Sequence, residues 1–80
     1  MKINVGSVVK ANAGRDGGGF FVVTGLDGKW CSIADGRSRK LDKPKRKNMK
    51  HISPTESMID INGITDKQLR IKLRELSEAE

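Results

Sequence analysis

The chain has 80 residues, 35% hydrophobic and 32% charged, and sixteen Lys+Arg against ten Asp+Glu leave it at +6. A chain this short buries only roughly 60–65% of its unfolded surface, so one modest core is expected and there is no room for two. No run of 18 apolar residues could cross a membrane, and Met1 to Val9 lacks the apolar segment of a secretory signal. One cysteine and one histidine supply neither an internal disulfide nor a cysteine-based zinc site. A cytoplasmic, reduced protein with no metal and no cofactor is the expectation.

The first two-thirds reads as a β-meander. Ser7 to Asn12 forms a short strand with Val9 and Ala11 on one face. Phe20 to Leu26 is aromatic and β-branched enough to be buried on both faces. Lys29 to Ala34 follows, then Arg37 to about Leu41, and Asp27-Gly28 and Asp35-Gly36 separate these strands. Asp-Gly tolerates the positive φ angles of a type I′ turn, and two such turns eight residues apart signal hairpins. A strand around Asn48 to Ile52 would close the sheet. Five short strands in under 60 residues predict a mainly β fold, a small barrel that limits unpaired edges.

Ser53 to Ser57, with Pro54, marks a boundary between a barrel over 1–56 and a linker with a C-terminal helix over 57–80. Met58 to Ile61 is extended and Asn62-Gly63 is a turn. Thr65 and Gln68 have the spacing of a capping box, and Ile64 and Leu69 that of a hydrophobic staple. Leu69, Leu73 and Leu76 fall on one helical face, with Lys67, Arg70 and Arg74 on a different side. A helix of about twelve residues is too short to persist alone in water, so its leucines must pack on their own barrel or in a partner's groove.

Charge is concentrated by position. Residues 1–57 hold twelve basic and five acidic residues, net +7, while residues 58–80 hold four and five, net −1. Arg37 to Lys50 alone carries Arg37, Arg39, Lys40, Lys43, Lys45, Arg46, Lys47 and Lys50, opposed only by Asp42. A stripe this dense repels itself and favours a polyanion that releases counterions on binding.

Enzymatic chemistry finds little support. Gly14 and Gly19 have the spacing of a phosphate loop, but Phe20 and Phe21 stand where its lysine and hydroxyl would be. The loop also runs into a strand rather than a helix N-terminus. His51 has no nucleophile and orienting acid beside it in sequence, and Asp16, Asp27 and Asp35 sit in turns, where aspartate bonds local backbone. Cys31 alternates with Ile33 and reads as a small core residue. Trp30, on the opposite face, is open to two readings: a stacking platform for a nucleobase, or burial under the C-terminal helix.

Val8-Val9-Lys10-Ala11-Asn12-Ala13-Gly14-Arg15-Asp16-Gly17 through Phe20-Phe21-Val22-Val23 resembles a KOW motif, two strands joined through a glycine-bearing loop. Ala34-Asp35-Gly36-Arg37 and Lys45 to Thr55 resemble the rest of that domain in a large-subunit ribosomal protein of archaea and eukaryotes. There a basic run leads into Asn-x-Lys-His-aliphatic-x-Pro-Thr, here Asn48 to Thr55. The resemblance spans roughly residues 3–56, and the chain beyond is similar to the short helix of small bacterial stand-alone KOW proteins. It implies an SH3-like barrel that binds ribosomal RNA through Lys10, Gly14, Arg15, Arg37, Arg39, Lys45, Arg46, Lys47, Asn48, Lys50 and His51. The basic stripe adds Lys40 and Lys43. The loop departs from the family in carrying Gly17, Gly18 and Gly19 where a basic residue is usual.

Two functions are therefore expected to compete. One is a non-enzymatic RNA-binding module on ribosomal or other structured RNA, associated with the ribosome or translation. The other is a protein-interaction module of a transcription or translation factor, using the barrel or the leucine face of the helix.

Overall fold

The computed structural model describes residues 2–12 and 19–78. Its strands are β1 (Ser7–Ala11), β2 (Phe20–Asp27), β3 (Trp30–Ala34), β4 (Lys45–Asn48) and β5 (Ile52–Met58). A 3₁₀ turn, Met49–His51, joins β4 to β5, and α1 (Asp66–Glu78) ends the fold. The strands form one antiparallel sheet in the order β4-β3-β2-β1-β5. Ile52 from one edge strand shares a cluster with Cys31 and Ile33 from the far side of the sheet, so the sheet must curl around its own interior. It does not close: among the described residues β4 and β5 form no ladder with each other.

Alternation along the central strands divides the apolar residues between two cores. Val9, Ala11, Phe21, Val23, Cys31, Ile33 and Ile52 fill the concave side. Val8, Val22, Ala34 and Ile59 face the convex side, where Leu69 and Leu73 of α1 cover them. The helix therefore packs on its own sheet, and Leu76 and Ile64 border the same cluster. Its start follows local chemistry. The Thr65 N–H donates to Gln68 Oε1 at 3.0 Å, and the Gln68 N–H donates back to Thr65 Oγ1 at 3.1 Å. Two helix-end donors are thereby satisfied reciprocally.

Four local expectations are corrected. Lys29 belongs to the turn, not to β3: Gly28 has φ +60° and Asp27 stays in the strand, so only the first central residue is left-handed, the pattern of a type II′ turn. Arg37 to Leu41 is not a strand, because the Asp35 carboxylate holds it in a turn. Its Oδ1 accepts from the N–H groups of Arg37 and Arg39, both at 2.9 Å, and its Oδ2 accepts from Ser38 Oγ at 3.2 Å. These short-range bonds give the backbone an alternative to a ladder. The strand expected at Asn48 to Ile52 is instead a corner. Asn48 Oδ1 accepts from the Lys50 N–H at 3.1 Å and starts the 3₁₀ turn that redirects the chain into β5. Finally, β5 runs through Ser53 to Ser57, the segment read as a boundary. Pro54 pairs with Val9 on an edge strand, where a missing N–H is tolerated.

Candidate nucleic-acid interface

The basic stripe is distributed over several surfaces. In β4 the pleat sends Arg46 and Asn48 to the convex side and Lys45 and Lys47 to the concave side, opposite Ile33 and Cys31. Lys47 is only 9% exposed, so it offers little surface to any ligand, and its carbonyl accepts a long 3.5 Å hydrogen bond from Cys31 Sγ. Arg46 is exposed and lies over the Trp30 ring, 4.4 Å from its centroid. Such a pair contributes about 0.5–1 kcal/mol at an exposed site and keeps the guanidinium beside the indole. Trp30, Arg46, Asp27, Gly25, Ser32 and Pro44 are among the residues that line an open depression of about 330 Å³. Trp30 belongs to neither apolar core, so the helix does not bury it. A base arriving here meets the guanidinium–indole stack rather than a bare indole.

Lys43 and Lys50 are exposed in the turns on either side of β4, and His51 and Asn48 are half-buried in the corner that follows. From Lys43 to Thr55 there is no acidic residue. Lys10 is exposed on β1, its ammonium 5.2 Å from the centre of the Phe20 ring. Gly14 and Arg15 lie outside the described residues. Cys31 is 2% exposed, and burial pushes its thiol above the ordinary value of 9.0, which favours the inert protonated form.

Arg37, Arg39 and Lys40 stand apart from β4, on the Asp35 turn that abuts the helix. The Arg70 Nη1 group donates to the Gly36 carbonyl at 2.8 Å, and the Leu41 N–H donates to Asp66 Oδ1 at 2.8 Å. Gly36 has φ +76°, and a Cβ there would collide with the Asp66 carbonyl, so the turn sits directly on the helix backbone. Between this turn and α1 opens a cleft of about 730 Å³, whose walls include Arg37, Lys67, Arg70 and Arg74. The helix cations were visible in the sequence as a face apart from the leucines, but not as part of a site. Their spacing of i, i+3 and i+7 was the available signal; what it lacked was Arg37, some thirty residues away in the chain.

Among the described residues no three His, Cys, Asp or Glu side chains converge in a way that could hold a metal ion, and no helix is long and apolar enough to cross a membrane. No protein-family model matches the chain.

Proposed function

We propose that this chain is a non-enzymatic RNA-binding module of the KOW type, a cytoplasmic protein that engages ribosomal or other structured RNA in association with the ribosome or translation. The observation that carries the reading is the exposed cationic run on and around the edge strand β4, Lys43, Arg46 and Lys50, with Arg46 over the Trp30 ring and no acidic residue between Lys43 and Thr55. Guanidinium and ammonium groups presented in this way suit phosphate oxygens. Such contacts position a duplex without reading its bases, and 2′-hydroxyls in the shallow minor groove distinguish RNA from DNA. The resemblance of residues 3–56 to KOW domains supports the same conclusion. The helix leucines are engaged on the chain's own sheet, which leaves the cationic surfaces as its most distinctive exposed feature.

Fluorescence anisotropy of a labelled ribosomal RNA fragment, repeated across a salt series, tests this. If about four to six phosphates are neutralised, log K falls against log salt with a slope of about −3 to −5. Replacing Lys43, Arg46 and Lys50 together by glutamine is expected to flatten the slope by about 2 and weaken binding uniformly across RNA sequences. A wild-type slope near zero, or an unchanged slope in the triple variant, refutes the proposal.

A further inference from the structure

The cleft between α1 and the Asp35 turn has no role in the site just described, and its chemistry is one-sided. Among the described residues four cations, Arg37, Lys67, Arg70 and Arg74, line it against a single acid, Asp35. That acid is already engaged: its two oxygens accept the Arg37 and Arg39 N–H groups and the Ser38 hydroxyl. Among the described residues no ion pair engages the four cations. Glu78 falls on the same helical stripe as Lys67 and Arg74, one turn beyond Arg74, and is not among the residues that line the cleft. The near-neutral charge of residues 58–80 therefore conceals an uneven distribution: Lys67, Arg70 and Arg74 line this cleft, while Lys72 lies with Asp60 and Glu75 beside a different depression.

The cleft is also rigidly framed. The Arg70–Gly36 and Leu41–Asp66 hydrogen bonds clamp the turn to the helix, so Arg37 and the helix cations are held together before any ligand arrives. Preorganisation of this kind reduces the ordering cost of binding. Phe20 forms part of the opposite wall, and Lys10 lies over its ring, which extends the cationic track onto β1. From Lys67 to Arg74 the helix rises about 10 Å, the length of about three phosphates along one strand of a duplex.

We propose that this cleft is a second phosphate-binding surface, seating the sugar-phosphate backbone of the same RNA at a distance from β4; the proposal rests on the RNA-binding reading above. The helix then has two roles on two faces, completing the convex core with its leucines and holding RNA with its cations. Arg70 is the positioning residue, since its guanidinium also secures the turn, while Lys67, Arg74 and Arg37 supply the exposed charges.

The test pairs two variants of the full chain against one ribosomal RNA fragment. Lys67→Gln with Arg74→Gln removes exposed side chains only, so the fold is retained, as a thermal melt checks. Loss of two contacts is expected to flatten the salt slope by about 1.5 and weaken binding about ten- to thirtyfold near 0.1 M salt, with the β4 contribution intact. Wild-type slope and affinity in this variant, while the Lys43, Arg46 and Lys50 triple variant is impaired, overturn the cleft and leave the first reading standing. Failure of the unaltered chain to bind RNA removes both. A second readout needs no substitution: RNA added to the isotopically labelled chain should shift the amide resonances of Arg37, Lys67, Ile71 and Arg74. Resonances that stay in place overturn the proposal. So does a response to polyglutamate as strong as to RNA, which would assign the cleft to an acidic protein.

Discussion

Replacing Gly36 by alanine is expected to detach the Asp35 turn from the helix, whereas the same change at Gly28 should not. Both glycines follow an aspartate and both have positive φ, +76° and +60°, so each variant incurs about 1–2 kcal/mol for a left-handed non-glycine residue. Their surroundings differ. Nothing lies within 4 Å of a Cβ at position 28, but at position 36 a Cβ meets the Asp66 carbonyl oxygen and approaches Arg70 Cγ to 3.1 Å. Backbone cannot yield as a flexible side chain does, so the turn must move, weakening the Arg70–Gly36 and Leu41–Asp66 hydrogen bonds, both at 2.8 Å. A bond to a charged group contributes about 1.5–3 kcal/mol; if weakening rather than losing each costs about 1 kcal/mol, the total reaches about 3–4 kcal/mol. A domain of this size has about 4–12 kcal/mol of stability in all, and the expected loss in Tm is about 12–30 °C, against about 4–16 °C for Gly28→Ala. Thermal melts followed by circular dichroism read the Tm losses, and urea melts followed by Trp30 fluorescence read the free energies. Equal losses in the two variants would refute the clamp between turn and helix.

Two further changes probe the helix start and the concave core. Thr65→Ala removes one half of the reciprocal cap and should cost about 0.5–2 kcal/mol, read as a lower urea midpoint with an unchanged m-value. Cys31 should resist alkylation at pH 8 in the folded chain and react at once when urea is added. Because burial raises its folded thiol above the unfolded value of 9.0, the unfolded chain releases its proton first. Its contribution to stability is full below that pH and is lost progressively above it, a loss that Cys31→Ala should abolish.

What could be read from the sequence was the chemistry that acts over three or four residues. The Thr65–Gln68 box, the leucine face and the β2–β3 hairpin all depend on neighbours in the chain, and each formed. What could not be read depended on competition or distance. Arg37 to Leu41 follows an Asp-Gly pair and so reads as the next strand of the meander, but the Asp35 carboxylate reaches the Arg37 and Arg39 N–H groups first. Pro54 looks like a terminator until β5 is known to be an edge. Eight cations in fourteen residues read as one surface, whereas the two-residue pleat of β4 turns Lys47 inward and the Asp35 turn carries Arg37 to the helix. The cleft joins residues some thirty positions apart, so no local spacing could announce it.

The open edge at β4 links the protein's solubility to its charge. A strand edge with no ladder partner among the described residues invites a second copy to extend the sheet, and the exposed cations Lys43, Arg46 and Lys50 on and around it oppose that by mutual repulsion. A bound polyanion relaxes this repulsion while covering the strand; concentrated salt relaxes it and leaves the strand bare. Self-association should therefore rise in concentrated salt without RNA, and chains carrying alanine at these positions should be the first to precipitate.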